Sequence, residues 1–129
     1  ERLAAAANLH VIDEEVPAAR LAALQAGAGV HLCPSSAESF GHYINEARAL
    51  GRLVVSTDAA PMSELVDGGS GVLVRPEGSK ALGPLSPYGS ALASFNVTAL
   101  EAAVEGVLAM VEEERRALGH AARRRFEER

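Results

Sequence analysis

Short, almost wholly apolar runs alternate along this chain with Ala-rich stretches of helical period, and this alternation is what most restricts its fold. Four of the runs have the length and the β-branched content of strands, at about 9–12, 29–33, 53–56 and 71–74. Strands that are apolar along their whole length are typical of a parallel sheet with helices on both faces. The sequence therefore predicts an α/β fold, a parallel sheet of about four strands flanked by helices.

Helices are predicted between these strands. Pro17 fits the first turn of one helix, which ends before Gly27-Ala28-Gly29. Ile44, Ala47 and Leu50 would form the buried stripe of the next helix, and Gly51 would end it. A third, short helix is predicted over 62–66.

The chain after the fourth run divides into a predicted loop and two helices. Residues 75–95 hold three of the six prolines and no clear period, which predicts a long surface loop. C-terminal helices are predicted over about 98–128, the first starting with a capping box from Thr98 to Glu101 and the second covering about 117–126. The first would bury a stripe of Leu100, Val104, Val107, Leu108 and Val111.

Length and composition exclude several classes of protein. The 129 residues fit one domain, 1–129, and 48% hydrophobic content fits a folded core. A net charge of −5 argues against a nucleic-acid binder, because phosphate binding needs positive surface. A single cysteine, Cys33, forms no internal disulfide, so we expect a reducing, cytoplasmic location and treat Cys33 as a core residue. We expect no transmembrane segment, because no apolar run has the required length.

The residue types that carry chemistry are concentrated in 32–47. A buried strand ends at Pro34, a loop of small residues follows, and a helix opens at Gly41. Parallel sheets bind ligands at such strand–loop–helix junctions, and the first helical turn offers N–H groups to an anion. Glu38 in the loop and Glu46 in the helix would address different parts of one extended ligand.

This segment, with 53–58 and 64–74 after it, resembles the C-terminal, donor-binding domain of GT-B glycosyltransferases of the retaining family 4 type, the glycosyl transferases group 1. The resemblance covers about 8–74 and centres on an E-x7-E pattern, Glu38 to Glu46, within Pro-Ser-x-x-Glu-Ser-Phe-Gly. Glu105 and Glu113 have the same spacing in an ordinary amphipathic helix, so the spacing alone is not specific. The resemblance implies a Rossmann-like sheet as part of a GT-B C-terminal domain.

The resemblance also implies roles for single residues. Glu38 would be the catalytic residue that contacts hydroxyls of the donor sugar, and Glu46 would accept hydrogen bonds from the ribose. Backbone N–H groups would bind sugar and phosphate at Ser39, Phe40, Gly41 and His42. The end of the first strand, at Val11 and Ile12, would seat the base. The donor is a nucleoside diphosphate sugar, and neither a metal nor another cofactor is expected.

The chain differs from this family in its basic residues and in its number of strands. The family brings an Arg and a Lys to the diphosphate from an earlier strand. It orders its strands 3-2-1-4-5-6, and the four strands predicted here correspond to its third, fourth, fifth and sixth, so that the two middle strands would be missing. We therefore expect a fragment that lacks the N-terminal acceptor domain and is inactive alone. Uncovered sheet edges would favour a homo-oligomer.

Two other interpretations stay open. A non-catalytic glycosyltransferase-like module would bind a nucleotide sugar or only a partner protein. A flavodoxin-like regulator would need an acidic cluster or a phosphate loop after the first strand, and Asp13, Glu14 and Glu15 are a weak candidate for the cluster. The histidines His10, His31 and His120 show no metal-type spacing with each other or with Cys33, and they are interpreted as structural.

Overall fold

The computed structural model describes residues 8–81, 91–94 and 96–128 of the chain, and these form an α/β fold. Its elements in chain order are α1 (Ala18–Gly27), β1 (Val30–Cys33), α2 (His42–Ala49), β2 (Leu53–Thr57), α3 (Met62–Leu65), β3 (Val72–Val74), β4 (Gly78–Ala81), β5 (Ala91–Ser94), α4 (Val97–Ala109) and α5 (Glu112–Glu127). Within these described ranges, none of the helices has the length and apolar character needed to cross a membrane.

The central feature is a parallel sheet in the order β1-β2-β3. Leu32 lies beside Val55, and Val55 in turn lies beside Val72. Every residue of β2 is buried, as expected for the middle strand of a sheet covered on both faces. The predicted α/β class, the parallel sheet and three of its strands are confirmed.

The predicted first strand at 9–12 is wrong, and the parallel sheet therefore has three strands rather than four among the described residues. Leu9, Val11 and Ile12 are 41%, 61% and 42% exposed, and they belong to no strand. In the described structure β1 pairs with β2 alone, so its other edge is free. A strand forms only where a neighbour takes up its backbone hydrogen bonds, and apolar content does not supply that neighbour.

The long loop predicted for 75–95 contains instead an antiparallel pair, β4 and β5, in which Gly78 lies opposite Ser94. The remainder of that segment, 82–90 and 95, lies outside the described residues. The two strands are short and rich in small residues, without the apolar alternation that identifies a strand from sequence. This pairing was therefore not predictable from the pattern.

Helices cover both faces of the sheet. Successive side chains of β2 point to opposite faces. On one face Val54 packs with residues of β1, α2 and α3, and on the other Leu53 and Val55 pack with residues of β3 and α4. The resulting three layers leave the ends of the parallel strands open for loops.

The buried stripe of α2 is partly confirmed. Ile44 and Ala47 are fully buried, but Leu50 is 39% exposed because the helix ends at Ala49. Arg48 takes the inner position instead, with its guanidinium donating to Asn45 Oδ1 at 2.6 Å and lying over the Phe126 ring.

The C-terminal helices begin at residues other than those predicted. Asn96 caps α4 by accepting a hydrogen bond from Ala99 N at 2.9 Å, so the capping box from Thr98 to Glu101 is wrong. Val107 is buried as predicted, whereas Leu108 and Val111 are exposed. The second helix, α5, starts at Glu112 rather than near 117.

Candidate functional site

The loop between β1 and α2 lies at the carboxyl edge of the parallel sheet and is held at two points. Ser35 N donates to Thr57 Oγ1 at 3.1 Å, and Thr57 is the buried last residue of β2. Ala93 N of β5 donates to Ser36 O at 2.8 Å. The sheet and the β4–β5 pair therefore fix the start of the segment that carries Glu38.

Glu38 is half-buried and oriented by its neighbours. Tyr43 Oη donates to its Oε1 at 2.5 Å, and Ser35 Oγ lies 3.2 Å from the same oxygen. Oε2 receives no hydrogen bond from the described residues. The carboxylate is thus held by one oxygen while the other remains available as an acceptor.

Tyr43 belongs to the candidate site through its contact with Glu38, and sequence reasoning missed it. Burial, and then its hydrogen bond to Glu38, raise the pKa of the Tyr43 phenol to about 12. The phenol therefore stays protonated at physiological pH and donates its hydrogen bond to a carboxylate. Tyr43 is the second residue of α2 and follows Glu38 by five residues. No sequence motif identifies a residue at this position as part of a site.

Gly41 makes the turn from the loop into α2. It is buried and has a φ of 59°, in the left-handed region. A Cβ at this position would lie 2.6 Å from Leu65 Cδ1, the end of a side chain that can shift, so it is mainly the backbone angle that favours glycine. No backbone acceptor for the N–H groups of His42, Tyr43 and Ile44 is found in the described residues. The start of α2 thus presents free donors beside Glu38.

Aromatic rings lie at the start of α2. Phe40 is 74% exposed, and its ring stacks on that of His42 with centroids 5.7 Å apart. Asn45 Nδ2 donates to Phe40 O at 3.0 Å and fixes the backbone beneath the pair. An exposed, stacked pair of this kind offers a flat surface to a ligand ring.

Glu46 lies one helical turn beyond His42 and is exposed. Its Oε2 accepts a hydrogen bond of 2.6 Å from Gln25 Nε2 of α1. No other hydrogen bond to this carboxylate is found in the described part of the chain. Gln25 was not predicted as a site residue, since it lies in an amphipathic helix far from the motif in sequence.

Val11 and Ile12 lie before α1, outside this loop. They line a separate hollow of about 710 Å³, formed by residues 9–14 together with Arg20 and Leu24 of α1. None of the residues 34–46 lines that hollow. Seating of a base at Val11 and Ile12 stays a prediction.

The described residues hold no group of three side chains suited to bind a metal. His31 has a structural contact, since its Nε2 lies 3.0 Å from Gln25 O.

Comparison with models of protein families shows to which family the chain belongs. The family model described as "Glycosyl transferases group 1" matches residues 1–83 of the 129. The chain belongs to the glycosyl transferases group 1. This domain is therefore GT-B glycosyltransferase-like, with a Rossmann-like sheet, and the matched part includes both Glu38 and Glu46. The comparison with curated proteins gives no match.

In this glycosyltransferase domain Cys33 is a core residue, 4% exposed, next to the site but not part of it. Burial, and then the charge of Glu38, raise the pKa of the thiol to about 11. The reactive form is the thiolate, so we expect thiol reagents at pH 8 to label native Cys33 at least about tenfold more slowly than the unfolded chain. Equal rates, followed with a chromogenic disulfide, would contradict this burial.

Proposed function

We propose that the chain is the nucleotide-sugar-binding part of a retaining glycosyltransferase, which transfers a sugar from a nucleoside diphosphate sugar to an acceptor. The observation that carries the proposal is the pair Glu38 and Glu46, each held by a protein donor through one carboxylate oxygen and open at the other. Both flank the free N–H groups at the start of α2. Membership of the glycosyl transferases group 1 supports this assignment.

At the sugar end, Glu38 would accept hydrogen bonds from hydroxyls of the donor sugar. Tyr43 fixes its Oε1, which leaves Oε2 available to the substrate. Hydrogen bonds from hydroxyls to a carboxylate are charge-assisted and therefore strong. The fixed carboxylate orients the reacting carbon, which lowers the entropic part of the barrier.

At the centre, backbone N–H groups of Ser39, Phe40, Gly41 and His42 would bind the sugar and the diphosphate. Charge develops on the diphosphate as its bond to the sugar breaks and the bond to the acceptor oxygen forms on the same face. Fixed N–H dipoles at a helix start stabilise such charge without reorganising.

At the nucleoside end, Glu46 would accept both ribose hydroxyls. The Gln25 amide occupies the Oε2 position in the free protein, so ribose would displace it or share that oxygen. Val11 and Ile12 are exposed apolar residues, suited to pack against a base, and remain the proposed base contacts. Neither step needs a metal ion or another cofactor.

A second candidate is a non-catalytic interaction module. The observation that favours it is exposed apolar surface on α1, on β1 and before α1, at Leu9, Val11, Ile12, Leu21, Leu24 and Leu32. The free edge of β1 adds unpaired backbone groups to this surface. An acceptor domain or a second copy of the chain would cover it, and both partners are proposals.

Calorimetric titration tests the proposed function. The chain is titrated with UDP, GDP and ADP, and then with the hexose conjugates of whichever one binds. We expect one nucleotide to bind with a Kd of about 1 mM or lower, equivalent to about 4 kcal/mol of binding free energy. Absence of binding by all three at that concentration would contradict donor binding and favour the interaction module.

A further inference from the structure

The opposite edge of the sheet, where β1 and β2 begin, carries two adjoining hollows. One of about 280 Å³ extends to the start of β1, and the other of about 350 Å³ extends along α5. Three residues line both: Gly51, Arg52 and Arg116. The second, here named the arginine hollow, is lined by Leu50, Gly51, Arg52, Arg116, His120 and Arg123. Its lining is therefore rich in nitrogen donors and contains no carboxylate.

Helix geometry explains why these residues converge. Arg116, His120 and Arg123 are four and then three residues apart, so they share one face of α5. Gly119 lies against the backbone of Gly51 and lets α5 approach that turn closely. The shared face of α5 is thereby brought beside Arg52, which follows the turn.

Arg52 brings a charge with no carboxylate partner in the described residues. Its Nη2 donates to Ala26 O at 2.5 Å, and its Nε is buried without an acceptor. The guanidinium is half-buried, so water compensates its charge only in part. An anion in the hollow would supply the missing compensation.

Arg116 and Arg123 are paired only weakly. Arg116 Nε lies 2.9 Å from Glu112, and Arg123 Nε lies 2.8 Å from Glu127. Both pairs are more than half exposed and join successive turns of one helix, an arrangement with little interaction energy. Glu112 is moreover shared with Arg115, so one carboxylate serves two guanidiniums. These arginines are free to turn toward a more highly charged anion.

We propose that the arginine hollow binds a phosphate group of a phosphorylated ligand. A guanidinium offers two parallel N–H donors that match the spacing of phosphate oxygens, and several guanidiniums around one phosphate match its double charge. None of the residues 34–46 lines the hollow, so it is separate from the proposed donor site and does not depend on it. The phosphate belongs either to a small soluble molecule or to a lipid headgroup.

Titration with inorganic pyrophosphate, followed by calorimetry at low salt, tests the proposal. Arg116 and Arg123 are replaced together by glutamine, and Arg75 and Arg124, two exposed arginines outside the hollow, are replaced together as the matched control. Far-UV circular dichroism checks that both variants are folded. We expect the first pair of substitutions to weaken binding at least about tenfold and the control pair to weaken it less than about threefold.

Three results would overturn the proposal. The first is no binding of pyrophosphate to the unmodified chain at low millimolar concentration. The second is an equal loss in both double variants, since that would assign binding to net charge alone. The third is a set of amide chemical-shift changes with pyrophosphate that is confined to residues 38–46 and leaves 50–52 and 116–123 unaffected, because the anion would then lie at the proposed donor site.

A vesicle experiment distinguishes the two sources of phosphate. The chain is sedimented with phosphatidylcholine vesicles that do or do not contain phosphatidic acid. Cosedimentation that needs phosphatidic acid and is lost on replacing Arg116 and Arg123 assigns the hollow to a lipid headgroup. Pyrophosphate binding without cosedimentation assigns it to a soluble phosphorylated molecule.

Discussion

Replacing Gly119 by alanine is expected to lower the free energy of unfolding by about 3 kcal/mol and the melting temperature by about 10 °C. A Cβ at this position would lie 2.9 Å from the Gly51 carbonyl carbon and closer still to its oxygen. It would also lie 3.2 Å from Arg52 C. These atoms are backbone, so no side chain can rotate away. Relief requires α5 to move off the turn that ends α2.

Gly106→Ala is the matched control for this substitution. Gly106 also lies within a helix, α4, but a Cβ there would meet nothing within 4 Å. Alanine favours helix over glycine by about 1 kcal/mol, so this variant should be more stable than the parent chain. Thermal and urea unfolding measure both variants. Similar behaviour of the two would contradict the close packing of α5 on the Gly51 turn.

The second large effect is expected at Glu46. Glu46→Ala should raise the Kd of the nucleotide that binds by about 100-fold, because two charge-assisted hydrogen bonds to ribose would be lost, about 3 kcal/mol in all. Stability should change little, since Glu46 is exposed and its only described partner is Gln25. Calorimetric titration of the variant with that nucleotide measures the effect.

Glu105→Ala provides the control for Glu46→Ala. Glu105 begins the second E-x7-E pair of the chain, is exposed in α4, and lies outside the loop and helix of the proposed site. The single helix expected for this pair is wrong, because Glu113 lies in α5. Its replacement should leave the Kd within about twofold of the original value, since it removes one charge and no ligand contact. Equal Kd values for Glu46→Ala and the parent chain would contradict the proposal that Glu46 binds the ribose.

Sequence predicted the part of the fold that local pattern determines. β1, β2 and β3 are apolar runs bounded by turn residues, and all three are confirmed. The run at 9–12 has the same composition but no neighbouring strand among the described residues, and it is exposed. Pairing is a property of the tertiary structure, and an apolar run does not encode its partner.

The first residues of the helices were also predicted only in part. A Thr98–Glu101 capping box has the right residue types, yet Asn96, two residues earlier, supplies the cap. Asparagine and threonine both cap helices, and the choice between neighbouring candidates depends on where the preceding chain enters. The buried position of Arg48 is likewise set by packing against Phe126 of α5, which no local pattern reveals.

The candidate site was predicted only as far as its motif. The loop position of Glu38, the turn at Gly41 and the helical position of Glu46 follow from the sequence. The groups that orient the carboxylates, Tyr43 and Gln25, do not, because each contact depends on how the loop and α1 pack. The roles of these two residues follow from the three-dimensional structure and not from the spacing of residues in the sequence.

The most direct test of donor binding at the β1–α2 loop is an amide NMR titration of the ¹⁵N-labelled chain with the nucleoside diphosphate that binds. We expect the largest chemical-shift changes on the N–H groups of residues 38–46. The amides of the second E-x7-E pair, at 105–113, should change little. Changes confined to α5 and the Gly51 turn, with 38–46 unaffected, would contradict a donor site at this loop.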